Sequence, residues 1–229
     1  DHDGDGIVSR IYAGDLGGNM FAFNDDEMDD ITVCSDTVSA MVVDGSWDAR
    51  KLFDASSDGN QRKIMYAPDA VGEHFGEIIY FGTGDRTDPM ETDIVNRFYA
   101  VKNDWAVTTA DMTESDLVDV TDNDIQLGTS AQKAAMLASL EAAKGWYIRL
   151  ENPGEKVVAS ARVYGGVVYF TTYTPPATEG GDPDDPCAVS TVRGVARLYA
   201  VHYKTGASVH NFSDIVETDG DNEVVDLGK

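Results

Sequence analysis

The sequence predicts an all-β protein, organised as a partial β-propeller of about three blades with one inserted α-helix. Two observations carry this prediction: an apolar hairpin recurs three times along the 229 residues, and glycine-marked turns join apolar strands beside it. The repeat period of roughly 70 to 90 residues leaves room for about four strands per repeat, as in propeller blades. Since a closed ring typically takes about four to eight blades, further blades are required in the same polypeptide or on another chain. A β-sandwich is the alternative.

The recurring unit is a pair of apolar strands. Its first strand is expected at residues 10–15, 79–84 and 168–173, and its second strand at residues 20–23, 97–101 and 197–201. The connection lengthens from the tight turn at 16–19 to residues 85–96 and 175–195, so we interpret the added residues as loop decorations. The predicted blade-like repeats span about residues 1–55, 60–150 and 155–215, followed by a C-terminal tail at 216–229.

Further strands are expected beside these hairpins. They lie at residues 63–67, 145–150 and 157–163, and the last of them turns at Gly165-Gly166 into residues 167–173, a two-glycine hairpin signal. Residues 82–85 are interpreted as the end of a strand entering its turn.

One helix is expected at residues 131–144, because Thr129 or Ser130 can cap its start and Gly145 can end it. Met136, Leu137 and Leu140 share one face of this helix, which we expect to pack against a sheet. Trp47, Trp105 and Trp146 are likewise interpreted as packing residues.

The charge of the chain excludes some classes of partner. With 41 acidic and 17 basic residues, the net charge of −24 repels phosphate backbones and anionic head groups, so neither nucleic acid nor a membrane surface is expected as a partner. The acid clusters at 25–27, 29–30, 182–185 and 219–223 are interpreted as solvated surface, and a further calcium site is the alternative for residues 219–223. No apolar run approaches the ~20 residues of a membrane-spanning helix, so no membrane insertion is expected.

Cys34 and Cys187 are the two cysteines of the chain. In an oxidising compartment they could pair, and the long loop so closed would stabilise the fold by about 4 to 5 kcal/mol in the chain-entropy model. The sequence is equally compatible with two unpaired thiols, whereas a two-cysteine metal site without nearby histidines is disfavoured.

The start of the chain carries the pattern of a calcium loop. Its acids alternate and Gly6 permits the sharp turn between them, so several oxygens can converge on one hard cation. Where an EF-hand has a bidentate Glu and then a helix, this chain has Tyr12 in a strand-like run. A solvated Asp/Gly-rich turn is the alternative. The candidate ligands are Asp1, Asp3, Asp5, the carbonyl of Ile7 and Ser9. Because the chain begins inside this loop, we expect upstream sequence.

These features together resemble the C-terminal β-propeller domain of the PilC/PilY family of type IV pilus proteins. The matching stretches follow one order over nearly the whole chain. They are the calcium loop, residues 12–20, 51–53, 80–84, 145–148, 154–158 and 168–175, Cys187, and residues 198–206.

The resemblance implies a secreted bacterial protein that promotes pilus assembly and extension against retraction. It implies a place at or near the pilus tip or at the outer membrane, reached through the periplasm, and a contribution to surface attachment. Its partners would be pilin or minor pilin subunits and the remaining blades or an upstream domain of the same protein. Calcium in the family's loop tunes extension against retraction, and Ser9 departs from the acid that the family has at that position.

An enzymatic alternative comes from pyrroloquinoline-quinone-dependent dehydrogenases, whose blades these repeats also resemble. A quinone site needs stacked aromatic and basic residues and a carboxylate base, and the repeats show no such set. His2, His74, His202 and His210 are scattered, and neither a nucleophile elbow nor a phosphate loop occurs. We therefore expect no enzymatic activity; a purely structural secreted propeller is a third hypothesis.

Overall fold

The structure is a computed structural model of the chain. It describes residues 8, 10–33, 36–104, 111–122, 124–176, 193–209, 216–219 and 222–225, with the backbone alone for residues 25–33, 36–46, 48, 216–219 and 222–225. The first half contains the strands β1 (Arg10–Gly14), β2 (Asn19–Val33), β3 (Asp36–Asp54), β4 (Asp69–Glu73), β5 (Gly76–Gly82), β6 (Arg97–Asp104) and β7 (Met112–Thr113). The second half contains β8 (Val118–Asp119), α1 (Asp124–Leu127), α2 (Ser130–Ala142), β9 (Gly145–Arg149), β10 (Lys156–Val157), β11 (Arg162–Tyr164), β12 (Val167–Thr174), β13 (Val195–His202), β14 (Val216–Asp219) and β15 (Asn222–Val225).

The strands form three successive sheets and a separate β14–β15 hairpin. The first sheet has the order β1-β2-β3-β7, and the second has the order β4-β5-β6-β9-β8. In the third sheet, β12 pairs with β13 on one side and with β10 and β11 on the other. The prediction of an all-β protein is confirmed. No closed ring forms among the described residues, so the propeller remains a prediction.

The three recurring hairpins are confirmed, and they share one register. Each is antiparallel, formed by β1 with β2, β5 with β6, and β12 with β13. In every copy the tyrosine of the first strand lies directly opposite the alanine of the second strand, in the pairs Tyr12–Ala22, Tyr80–Ala100 and Tyr169–Ala200. The sequence repeat is therefore also a structural repeat.

The second sheet is covered on both faces. Side chains of a strand alternate between faces, so Tyr80 and Phe98 pack towards the third sheet while Ile79 and Phe81 pack towards the first. All four side chains are at most 1% exposed. Burial on both sides explains why β5 and β6 are continuous apolar runs rather than alternating ones.

Equivalent tyrosines connect each sheet to the next sheet along the chain. Tyr12 of the first sheet reaches the second sheet, and its counterpart Tyr80 donates to the carbonyl of Tyr203, directly after the third sheet, at 3.0 Å. The second and third sheets are also in contact through Phe98, whose ring stacks on Phe170 with centroids 3.8 Å apart. Tyr169, at the same position of the third sheet, is half-buried.

Two strand predictions are wrong. Residues 63–67 form no strand. Ile64 N donates to the Asp15 carbonyl beside the first sheet, whereas the Lys63 carbonyl accepts from Gly84 N beside the second sheet, so the segment joins neither ladder. The strand that pairs with β5 ahead of the second hairpin is β4 instead. The strand expected at 157–163 is divided into β10 and β11. The chain changes partners there: Val157 N donates to Thr83 O of the second sheet, and Val158 N donates to Thr171 O of the third.

Strand structure that the sequence does not predict lies towards both ends of the chain. The second strand of the first hairpin was expected to end at residue 23, yet β2 continues to Val33 and pairs with β3 through the acid-rich segment. Residues 216–219 and 222–225, expected within a tail, pair as β14 and β15.

The predicted helix is confirmed as α2. Thr129 is its N-cap, in a capping box with Gln132. Leu140 is buried and Met136 packs partly against the core, but the packing prediction is wrong for Leu137, which is 48% exposed. After α2, Gly145 has φ 146°, where a Cβ atom would lie 2.0 Å from the Ala100 carbonyl oxygen.

Among the tryptophans, Trp146 is buried as expected. Trp47 is 44% exposed, so the packing prediction is wrong there, and Trp105 lies outside the described residues.

Candidate functional site

The predicted calcium loop lies almost wholly outside the described residues. This applies to each of its candidate ligands, Asp1, Asp3, Asp5, Ile7 and Ser9, and likewise to Cys34 and Cys187. Val8 is exposed, and β1 begins at Arg10, directly after the loop. Within the described ranges, no three His, Cys, Asp or Glu side chains are grouped so that they could hold a metal ion.

A polar cluster fixes the strand that follows this loop. Tyr12 OH donates to the Glu77 carboxylate on β5, and Asn103 Nδ2 on β6 donates to Tyr12 OH at 2.7 Å. Arg50 on β3 donates to Asn103 Oδ1, and Arg10 Nη1 lies 4.0 Å from Glu77 Oε1. We call these five residues the junction cluster, because they tie the start of the first sheet to the second sheet.

The junction cluster is shielded from solvent. Asn103 is fully buried, and the side chains of Arg10 and Glu77 are 4% and 14% exposed. Burial, followed by the negative charge of Glu77, raises the pKa of Tyr12 well above its usual value, so its hydroxyl stays protonated and keeps donating to Glu77. Removing one partner of such a buried pair leaves an uncompensated polar or charged group, which is strongly destabilising.

A second polar cluster joins loops of the first two sheets. The guanidinium of Arg62 is 2% exposed and donates to both carboxylate oxygens of Asp58 at 2.8 and 2.7 Å. Glu114 accepts from Tyr99 OH at 2.5 Å and lies 3.3 Å from Arg97 Nε. The hydrogen bonds from Arg62 hold the pKa of Asp58 well below its usual value. These charges hold loops in place.

Adjacent residues Glu155 and Lys156 anchor two different regions. Glu155 is fully buried and accepts hydrogen bonds from the hydroxyls of Thr172 and Tyr199. The Lys156 ammonium donates to the carbonyls of Asp88, Pro89 and Glu91 at 3.2, 3.0 and 3.0 Å. All of these bonds hold strands and the 85–91 loop, so both ionisable groups serve structure.

The structure also reveals a groove that the sequence analysis did not predict. It has a volume of about 510 Å³ and lies between the C-terminal half of α2, the β4–β5 turn and Lys204-Thr205. We call it the α2 groove. The sequence carried no signal for this groove, because Leu137, which lines it, fits the predicted packing face and its exposure is seen only in the structure.

Comparisons with known proteins point in one direction. The chain is 28% identical, over 187 residues, to a type IV pilus biogenesis factor PilY1 homolog of Xylella fastidiosa (strain Temecula1), with 76% of this chain covered. It is 26% identical over 224 residues to another PilY1 homolog of that strain, with 94% of this chain covered. These matches confirm that the chain is PilY1-like.

The chain spans only 12% and 16% of the lengths of these relatives. No family model matches it, and no solved structure does. Among the described residues, none of the helices combines the length and the apolar character needed to cross a membrane.

Proposed function

We propose that this PilY1-like chain is part of a type IV pilus biogenesis factor that works at the bacterial cell surface and catalyses no reaction. The observation that carries the proposal is the similarity to two relatives named as such factors, which covers 76% and 94% of the chain. The polar clusters agree with a structural role, because Arg62, Glu155 and Lys156 direct their hydrogen bonds to loops and strands.

The stacked sheets are proposed to be consecutive propeller blades. Support comes from the shared register and from the equivalent tyrosines, since Tyr12 and Tyr80 each reach towards the next sheet. The outer faces of the first and third sheets carry exposed apolar side chains, for example Ile11 at 47% and Leu198 at 46%. In a propeller such faces are covered by further blades.

Calcium in the N-terminal loop is proposed to regulate this factor. The ligands would be Asp1, Asp3, Asp5, the Ile7 carbonyl and Ser9, whose alternation suits a hard cation. The junction cluster begins at Arg10, so ordering of the loop by an ion would act on a strand already tied to the second sheet. The surface so fixed would contact pilin subunits or another part of the same polypeptide.

The pilus function is tested by deleting residues 10–209 in frame from the gene that carries them. Surface pili are counted by electron microscopy, and the intact gene is restored as the control. We expect few or no pili after deletion and recovery on restoration. Unchanged pilus numbers, with the truncated product still exported, would contradict the proposal.

The calcium site is tested by isothermal titration calorimetry on the 229-residue chain and on the double variant Asp3→Asn/Asp5→Asn. We expect one saturable binding event that the double variant loses. Asp219→Asn, in the other Asp/Gly-rich cluster, is the matched control and should bind as the unaltered chain does. Absence of heat in the unaltered chain would remove calcium from the proposal. A quinone absorbance in the purified protein would instead favour the dehydrogenase alternative.

A further inference from the structure

Past Asn24, the first sheet continues as a two-stranded ribbon. We call this ribbon the β-arm; it comprises residues 25–33 of β2 and 36–47 of β3. At about 3.3 Å per residue, the β2 part of the β-arm extends the sheet by about 30 Å. Among the described residues, the strands of the β-arm pair only with each other, because β1 ends opposite Asn24 and β7 pairs with β3 at residues 53–54.

Within the described ranges, the two edges of the β-arm carry backbone groups without a strand partner. Along each edge of an antiparallel ribbon, alternate N–H and C=O groups point away from the ribbon and can pair with an added strand. Two-stranded hairpins are only marginally stable in water, whereas a third strand stabilises them. The β-arm is therefore a template for strand addition, a recurring way in which proteins bind extended segments.

The two edges of the β-arm differ in charge. The β2 edge carries five acids and no base between residues 25 and 30, and charged residues on an edge protect it from pairing with a further strand. The β3 edge contains the uncharged run Thr-Val-Ser-Ala-Met-Val-Val at residues 37–43, which is rich in β-branched residues. Asp36 and Asp44 bound this run on either side. Strand addition is therefore favoured at the β3 edge.

The base of the β-arm presents an exposed tryptophan. The ladder skips residues 44–47 of β3, which form a bulge opposite Asp25 alone. Trp47 lies in this bulge and is 44% exposed. The strand is fixed directly after the bulge, because Arg50 donates to Asn103 of the second sheet. An exposed tryptophan on a fixed base suits an interface anchor, and its ring face attracts cations.

The charges of the β-arm and its base all have the same sign. From residue 24 to residue 49 the chain has eight acids and no Lys, Arg or His. The acids are Asp25, Asp26, Glu27, Asp29, Asp30, Asp36, Asp44 and Asp48. A strand that carries Lys or Arg would meet only opposite charges here, whereas the β-arm of a second copy would bring like charges together. Charge complementarity therefore selects a cationic partner.

We propose that the β3 edge of the β-arm binds a cationic β-strand of a partner protein by strand addition. Main-chain hydrogen bonds pair the incoming strand with residues 37–43, and a Lys or Arg of that strand lies over the ring of Trp47. This surface adds a partner-binding function to the proposed pilus role and uses none of the candidate calcium ligands.

The test uses synthetic peptides of about nine residues in which Lys alternates with Thr and Val, titrated against the 229-residue chain by calorimetry. A second peptide has Glu in place of each Lys. Two further cationic peptides are N-methylated, one at the odd and one at the even positions, because only alternate N–H groups of an added strand point to the sheet. Amide hydrogen exchange followed by mass spectrometry locates the bound peptide.

Two variants of the chain locate the binding surface. In the first, residues 25–47 are replaced by Asn-Gly, a two-residue hairpin turn between Asn24 and Asp48, which already lie opposite each other. The second variant is Trp47→Ala. Its matched control is Tyr164→Ala, since Tyr164 is an aromatic residue that is 81% exposed outside the β-arm. Urea unfolding checks that all three variants keep the fold.

We expect the cationic peptide to bind with an affinity that falls as salt is added, and to slow amide exchange at residues 37–43. The Glu peptide should not bind, and one of the two N-methylated peptides should lose binding while the other keeps it. Replacement of the β-arm should abolish binding. Trp47→Ala should weaken binding by about tenfold, as for loss of an interface anchor, while Tyr164→Ala changes it little.

Three results would overturn the proposal. The first is a cationic peptide that fails to bind, or that still binds after replacement of the β-arm and so responds only to the net charge of −24. The second is equal behaviour of the two N-methylated peptides, which would exclude strand addition. The third is self-association in analytical ultracentrifugation that replacement of the β-arm abolishes, which would make a second copy the occupant. Pilus numbers are measured separately, so the proposed function stands or falls on its own test.

Discussion

The second and third sheets contain the same hairpin in the same register, but their surroundings differ. In the second sheet both faces are covered, and Ile79 and Tyr80, neighbours on opposite faces, are both fully buried. In the third sheet Phe170 is 2% exposed on the covered face, whereas Leu198 and Val195 are 46% and 50% exposed. The hairpin of the second sheet therefore contributes more to stability than that of the third sheet, because folding removes more of its apolar surface from water.

The largest expected effect is on the face shared by these sheets. Phe98→Ala removes the ring that stacks on Phe170 at 3.8 Å, and it should lower the free energy of unfolding. Loss of a buried aromatic ring costs about 3 to 5 kcal/mol. The control, Leu198→Ala on the open face, should cost well under ~1 kcal/mol. Urea unfolding followed by fluorescence measures both; equal losses would break the comparison.

The next effect compares the equivalent tyrosines. Tyr12→Phe leaves the Glu77 carboxylate without its phenol donor, and hydrogen bonds to charged groups contribute about 1.5 to 3 kcal/mol. Tyr80→Phe should cost about 1 kcal/mol or less, because the Tyr203 carbonyl keeps the Trp146 indole as a donor at 3.1 Å. Urea unfolding measures both variants. A larger loss of stability for Tyr80→Phe than for Tyr12→Phe would mean that the junction cluster adds little to the stability of the fold.

A smaller effect is expected from acid. The pKa of Asp58 is lowered in the folded chain by Arg62, so the contribution of this pair is complete above the ordinary aspartate value of 3.8 and is lost as the pH falls below it. Asp58→Asn should flatten this part of the curve of stability against pH. The control is Asp93→Asn, because Asp93 is exposed and its carboxylate makes no ion pair among the described residues. Parallel curves for Asp58→Asn and the unaltered chain would exclude this contribution.

Local pattern sufficed for much of the fold. The three hairpins were predictable because apolar runs such as that around Tyr80 end at glycines, and α2 because Thr129 and Gly145 bound an alanine-rich stretch. The β2–β3 extension was not predictable, since its acid-rich sequence resembles solvated loop and only cross-strand pairing makes it a strand.

The groove and the junction cluster depend on long-range contacts. Glu77 and Asn103 meet Tyr12 only because two sheets stack, and no spacing in the sequence encodes that meeting. Leu137 fits the apolar face of an ordinary core helix, so its exposure could be found only from the structure. The calcium ligands, in contrast, were proposed from the sequence and stay a prediction.

The most direct test of the proposed role is to count surface pili as a function of calcium. Cells carry either the unaltered gene or the Asp3→Asn/Asp5→Asn variant, and each strain is grown with calcium or with a chelator. Pilus number should respond to calcium in the first strain and become insensitive in the second. An identical calcium response in both strains would contradict regulation through this loop.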